Sequence, residues 1–223
     1  MNSDVGLFTS GIMDNSSISF NYGKRLRELG LDFCYLSIYS NRPDIHDRMT
    51  AHKGSFEKTI GSIQTLASLG ISINSNIVIY KDNIHELDEI IAYLSNIGVK
   101  HVRLLRLVNH GNASKNWEVV GLDLNSQNSE IMRIISNVSK YPIEITLAGF
   151  PDIISCRPYR NVNGCQAGIS LIYVTLSGDV YPCASVKTNS RFLIAHLSET
   201  ERIKDYLENH STSDAGMTCL NRR

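Results

Sequence analysis

Two cysteines close the stretch CQAGISLIYVTLSGDVYPC, residues 165–183. Residues 171–176 read as a strand, and 180–182 as the strand that returns. Between them Ser177-Gly178-Asp179 supplies a turn, since glycine tolerates positive φ. Such a hairpin brings Cys165 and Cys183 to one open end. Thiolates placed together suit a shared metal ion or an iron–sulfur cluster, and a [4Fe–4S] cluster normally takes four. Cys156 and Cys219 are the candidates for third and fourth ligand. Two plainer readings stand beside this one. Free cysteine is often just a small buried apolar residue. A structural zinc site is the other, although the CxxC pairs that mark such sites are missing. Cys34, between Phe33 and Tyr35 in a strand-like run, reads as core. Five cysteines, an odd number spread over 223 residues, speak against a secreted disulfide framework.

The elements that must carry these residues follow from the hydrophobic pattern. β-favouring runs lie at 5–9, 33–39, 71–80, 100–108 and 143–148. Helical spacing occupies 17–29, 55–69, 84–97 and 127–138, with a shorter helix at 199–209. The turns out of the first three helices repeat one punctuation, ELGLDF, SLGISI and NIGVKH, in which a glycine ends the helix and a strand follows directly. Consecutive βαβ units build a parallel sheet with helices outside it. The fold expected is α/β, a barrel or part-barrel in preference to an open doubly wound sheet. Texture changes after residue 150, where Pro151, Pro158, Asn161, Asn163 and Gly164 mark a loop. We therefore expect an α/β domain over 1–150 and a small cysteine-bearing extension over 151–223.

Composition narrows the function. Lys+Arg and Asp+Glu both number 22, so the net charge is zero. A neutral chain lacks the basic face that non-specific nucleic-acid or anionic-membrane binding requires. No run approaches the length of a membrane-spanning helix, and the N-terminus has no signal-peptide pattern, so a cytoplasmic location is expected. Neither GxGxxG after the first strand nor GxxxxGK[ST] is present, which leaves Rossmann or P-loop nucleotide binding without support.

Several short motifs occur in a telling order. Phe8-Thr9-Ser10-Gly11 ends the first strand. Glu28-Leu29-Gly30-Leu31-Asp32 leads into Tyr35-Leu36-Ser37-Ile38. Ile45-His46-Asp47 precedes Gly54-Ser55-Phe56. Asn83 stands before Glu86-Leu87, and Arg106-Leu107-Val108 before Gly111. The hairpin Cys165…Gly178…Cys183 closes the series. The ordered set, spanning roughly residues 5–200, resembles radical S-adenosylmethionine enzymes with a SPASM or twitch extension.

The resemblance implies a partial (β/α) barrel of the radical S-adenosylmethionine type followed by an iron–sulfur extension. It implies two cofactors, S-adenosylmethionine and a [4Fe–4S] cluster. Their joint chemistry is a 5′-deoxyadenosyl radical that takes hydrogen from a substrate, often a peptide or protein, with a flavodoxin- or ferredoxin-type electron donor. It places Ser37 against S-adenosylmethionine, with Thr9, Ser10 and Gly11 lining the same barrel mouth and Arg106 at a strand end facing the pocket; the plain alternatives are a strand hydroxyl for Ser37 and a salt-bridged surface arginine for Arg106. Arg48 lies near the position of a cofactor-facing arginine but is out of register, and reads as a solvated helix residue. His46 and Asp47 read as a helix-start feature rather than an acid–base pair. Cys165, Cys183, Cys156 and Cys219 become ligands of an auxiliary cluster. No catalytic residue is assigned.

The departures are as informative. The CxxxCxxC loop and the GGEP strand end that define the family are absent from this sequence, and both would precede Met1. Cys219-Leu220-Asn221-Arg222 stands where a CxxC would begin, but position 222 is arginine. Whether the chain is itself an enzyme is thus left open. The alternative is a non-catalytic α/β binding module, or a degenerate remnant, whose cysteines are structural or bind zinc.

Overall fold

A computed structural model describes residues 4–109, 111–150, 167–168 and 171–209. The chain divides into two compact units, Met1–Ala148 and Gly149–Arg223. The first opens with strand β1 (Gly6–Thr9) and a tight hairpin of β2 (Ile12–Met13) and β3 (Ser16–Ser17). Helix α1 (Phe20–Glu28), strand β4 (Phe33–Ser37), helices α2 (Pro43–Thr50) and α3 (Ser55–Ser68), and strand β5 (Ser72–Ile79) follow. Then come α4 (Leu87–Asn96), β6 (His101–Arg106), two single-turn helices α5 (Asn112–Lys115) and α6 (Trp117–Val120), α7 (Leu124–Ser136) and β7 (Glu144–Ala148).

Five strands form one parallel sheet in the order β1-β4-β5-β6-β7. The order never reverses, as winding toward a barrel requires and a doubly wound sheet does not allow. Alternation along each strand separates two faces. Cys34 and Leu36 on β4, Ile73 and Ile77 on β5, and Val102 and Leu104 on β6 are almost wholly excluded from solvent. These positions make the helix-covered core with Ile63 and Leu66 of α3, Ile90, Ile91 and Leu94 of α4, and Ile131 and Ile134 of α7. Each such side chain contributes roughly 1.5–3 kcal/mol of transfer free energy. Cys34 is part of this core, and burial pushes its thiol up to about 11.

The repeated helix-to-strand turn is one structure used three times. The N–H groups of Leu31, Ile71 and Val99 return to the carbonyls of Leu26, Leu66 and Leu94 at 3.0–3.2 Å, and the glycine before each has positive φ. This is the closing motif that needs glycine past a helix C-terminus.

Boundaries differ where tertiary partners decide them. The first helix starts at Phe20 rather than near 17, because Ser16 and Ser17 pair with Met13 and Ile12. Asp14 and Asn15, both at positive φ, make the two-residue turn of that hairpin. The helix expected at 127–138 begins at Leu124, since the Asp123 carboxylate accepts from the Ser126 N–H at 2.8 Å. Helix α2, expected from Arg48 as a helix residue but without bounds, has Pro43 in its first turn.

The second unit, taken by itself, holds a three-stranded antiparallel sheet in the order β10-β9-β8, with β8 (Tyr173–Val174), β9 (Asp179–Tyr181) and β10 (Ala195–His196). Helix α8 (Thr200–Asn209) packs Ile203 and Tyr206 against Val180, Ile194 and Ala195. The hairpin around Gly178 is present, shorter than expected, with Val174 opposite Val180. Among the described residues no helix is long and apolar enough to cross a membrane.

Candidate functional site

Strands β1 and β4 run side by side, with Thr9 opposite Leu36. Their C-terminal ends therefore deliver Ser10 and Ser37 to the same place, and both line a cavity of about 470 Å³. Two hydroxyls of α3, on one face by their i, i+3 spacing, hold the turn after β1. Thr59 Oγ1 donates to the Ser10 carbonyl at 2.8 Å, and Ser62 Oγ donates to the Gly11 carbonyl at 2.5 Å. Thr9 Oγ1 accepts from the Gly11 N–H at 3.0 Å. Gly11 has φ +78°, and a Cβ there would stand 2.7 Å from Leu36 Cδ2. The sequence Thr9-Ser10-Gly11 is thus a built turn that leaves the Ser10 side chain at the cavity.

The opposite wall comes from α2 and the start of α3. His46, 1% exposed, lines the cavity between the rings of Tyr39 and Phe56, with centroids 5.6 and 5.5 Å away. Its Nδ1 accepts from the Tyr39 N–H at 3.3 Å. Burial holds the imidazole down to about 4, against an opposing pull from Asp47, so the ring is neutral at pH 7. Asp47 sits in the middle of α2 but serves the next helix. Its carboxylate accepts from the N–H groups of Gly54 (2.5 Å) and Phe56 (2.8 Å) and from Ser55 Oγ (2.9 Å). Burial works against its charged form, yet these bonds outweigh it and hold the carboxyl below its usual value. The reading of His46-Asp47 as a helix-start feature holds for Asp47, which caps α3 from inside α2, and not for His46, which lines the cavity.

Among the described residues no Asp, Glu, Lys or Arg lines the cavity. Lys58 lies close by, donating to Asn15 Oδ1 at 2.6 Å. The chemistry on offer is that of hydroxyls, the Asn15 amide and the rings of Tyr39, His46 and His52. Ser37 Oγ makes no hydrogen bond within the protein among the described residues, and the Ser10 hydroxyl accepts from the Ile12 N–H at 3.3 Å while its own proton stays uncommitted.

The other expected site residues fall elsewhere. Arg106 shares the helix-side face of β6 with Val102 and Leu104 and donates to Asn128 Oδ1 of α7 at 2.6 Å; it does not line this cavity. Arg48 is exposed and paired with Asp82 at 3.2 Å, beside a second cavity of about 320 Å³ next to Tyr80. Cys183 is a half-buried free thiol just after β9. Cys156, Cys165 and Cys219 lie outside the described residues. Among the described residues no group of three or more His, Cys, Asp or Glu side chains is placed to hold a metal ion.

The sheet face turned away from the helices carries a polar relay that sequence reasoning missed. Tyr35 OH meets His101 Nδ1 at 2.7 Å, and His101 Nε2 meets Thr146 Oγ1 at 2.6 Å. Arg103 lies over the Tyr35 ring at 4.7 Å, and Phe8 stacks on that ring at 4.8 Å. Strand alternation was the available signal, since Tyr35, His101 and Arg103 all have the parity opposite to the core positions.

No family model matches the chain. The PqqA peptide cyclase of Rhizobium meliloti (strain 1021) is 26% identical over 188 residues, covering 83% of this chain and 49% of that protein. The AdoMet-dependent heme synthase of Oleidesulfovibrio alaskensis is 23% identical over 180 residues, covering 71% of this chain and 45% of that protein. The chain spans about half the length of the curated relatives it matches. Streptococcus suis SuiB has the same fold at TM-score 0.69 and 10% identity, over 92% of this chain and 49% of its own, and its structure is also solved bound to the precursor peptide SuiA. The enzyme anSMEcpe, solved with bound AdoMet and a peptide, superposes at TM-score 0.63 and 13% identity, over 92% of this chain and 58% of its own. The resemblance to radical S-adenosylmethionine enzymes stands in both comparisons, and the α/β fold with its parallel sheet is theirs.

Proposed function

We propose that this chain is part of a radical S-adenosylmethionine enzyme that modifies a peptide or protein, with an auxiliary [4Fe–4S] cluster at the C-terminal hairpin. The observation that carries the reading is the neutral, hydroxyl-rich cavity at the ends of β1 and β4, which unites Ser10 and Ser37 in a fold shared with enzymes solved with AdoMet and with peptides. Ser10 and Ser37 would hold the nucleoside portion of S-adenosylmethionine by hydrogen bonds, and the Thr59 and Ser62 hydroxyls keep the Ser10–Gly11 turn in place for it. With a reduced iron–sulfur cluster, S-adenosylmethionine supplies a 5′-deoxyadenosyl radical. The work of this chain is to bind, to orient and to exclude water. Cys183, half-buried and free, is the described member of the cluster ligand set, which would be completed by Cys165 with Cys156 and Cys219.

The test is iron and acid-labile sulfide per chain after anaerobic reconstitution, on the wild-type protein and on Cys165→Ala/Cys183→Ala. About four iron and four sulfide, lost in the double variant, is the expected result. No iron in either protein would leave a non-catalytic α/β module with structural cysteines. Bound zinc without sulfide would make the extension a zinc site.

A further inference from the structure

His46 combines three properties that its place in α2 alone does not require. It is 1% exposed, it lines the same cavity as Ser10 and Ser37, and among the described residues only one of its ring nitrogens is used. Nδ1 accepts the Tyr39 N–H, which leaves the proton of the neutral ring on Nε2. Among the described residues Nε2 has no acceptor. The Nε2–H is therefore left for water or a ligand in the cavity that His46 lines. The ring cannot turn away to find an acceptor elsewhere, because Tyr39 and Phe56 pack on either side of it.

Among the described residues the uncommitted donors of the lining include the Ser10, Ser37 and Tyr39 hydroxyls, the Asn15 amide N–H and the His46 Nε2–H. All belong to one cavity with no Asp, Glu, Lys or Arg among its described lining residues. The nearest carboxylate, Asp47, is already occupied by Gly54, Ser55 and Phe56. Among the described lining residues there is no carboxylate, lysine or arginine, and a ligand rich in neutral acceptors would satisfy these donors.

We propose that His46 is a positioning residue of this cavity, its Nε2–H donating to an acceptor atom of an uncharged nucleoside. This rests on the cofactor reading above, in which that nucleoside is the adenosine portion of S-adenosylmethionine. The role is distinct from the capping role of its neighbour Asp47. It makes the backbone of Tyr39, through Nδ1, the element that fixes which nitrogen faces the ligand.

Two substitutions separate the two ring nitrogens. His46→Asn keeps an amide near the Nδ1 position and removes the Nε2 donor. His46→Gln puts an amide near Nε2. The probes are adenosine and S-adenosylhomocysteine, titrated into the full chain and into both variants, with ¹⁵N-imidazole spectra of the wild type recorded alongside. Urea midpoints establish that the variants fold. We expect a protonated Nε2 whose resonance moves on adenosine addition, roughly tenfold weaker binding in His46→Asn, and binding within about threefold of wild type in His46→Gln. Equal binding by wild type and His46→Asn, with the His46 resonances unmoved, overturns the role of His46 and leaves the nucleoside cavity standing. Failure of the wild type to bind either probe overturns the cavity reading, and the inference falls with it.

Discussion

The side-chain amide of Asn83 donates to the Tyr39 carbonyl at 2.9 Å, across the ends of two neighbouring strands. The same amide donates to the Val78 carbonyl at 2.8 Å, and Asn83 Oδ1 accepts from the Tyr80 N–H at 2.9 Å. One fully buried residue in the loop after β5 thus answers for three backbone groups. It also holds the segment after β4 whose next contact is with the cavity, since the Tyr39 N–H binds His46. The sequence feature (an asparagine shortly before a helix) leads through local bonding to the placement of a site residue.

Asn83→Ala should therefore be among the costly single substitutions outside the hydrophobic core. It removes three hydrogen bonds and leaves buried backbone groups unpaired. A loss of about 2–4 kcal/mol is expected. Urea unfolding of the wild type and the variant measures it. A loss below about 1 kcal/mol would mean that water replaces the amide and that the loop is not held by Asn83.

Stability should fall as pH is lowered through the range in which His46 is forced to stay neutral. Its pKa is about 4 in the folded chain and 6.5 in the reference state. Between these values the unfolded chain binds a proton that the folded chain does not, so stability rises with pH there and is flat above about 7. The drop from pH 7 to pH 4 attributable to this ring is roughly 3 kcal/mol. His46→Gln should flatten the profile over pH 4–6.5. Urea midpoints across that range decide it: a slope equally steep in His46→Gln would assign it to other groups.

Asp47→Ala should act on a helix to which Asp47 does not belong. The first turn of α3 loses its acceptor for the Gly54 and Phe56 N–H groups, and about 1–2 kcal/mol should go with it. The wild-type carboxyl is held below its usual value, so its contribution is present above about pH 3.8 and is lost as pH falls through the lower folded value. The variant should therefore lose less stability than wild type on acidification below that point, after His46 has titrated. Thermal melts at pH 7 and pH 3 read both effects, and an α3 unaffected by the substitution at pH 7 would show that Ser55 and water suffice as caps.

What was legible in the sequence is what local chemistry decides. Gly30, Gly70 and Gly98 announced the helix-to-strand turns because only glycine closes them easily, and Cys34 between two aromatics announced a core strand. Ser10 and Ser37 fell together because both terminate parallel strands that pair in register. The misses were decided at a distance. Strands β2 and β3 are two residues each, too short for any period to show, although Asp14-Asn15 was a turn signal. Asp47 was legible as a helix-start feature, but that it reaches Gly54 and Phe56 from the middle of another helix was not. Arg106 looked like a mouth residue from its position at a strand end. Its parity with Val102 and Leu104 already put it on the helix side, where Asn128 receives it.

Gly11→Ala tests whether the turn after β1 is built for the cavity or merely ends a strand. Alanine at φ +78° is strained, and its Cβ would meet Leu36 Cδ2 at 2.7 Å. Leu36 is fully buried and cannot move aside cheaply. The turn must then shift, at a cost of about 1–3 kcal/mol. The Ser10 and Gly11 carbonyls are tied to Thr59 and Ser62, so the shift is transmitted to Ser10 at the cavity wall. Adenosine binding should weaken together with stability in Gly11→Ala, whereas Ser37→Ala, which breaks no internal bond, should weaken binding with the urea midpoint unchanged. Gly11→Ala protein that is destabilised yet binds adenosine as well as wild type would separate the turn from the site, and would leave Ser37 and His46 as the residues that matter to the ligand.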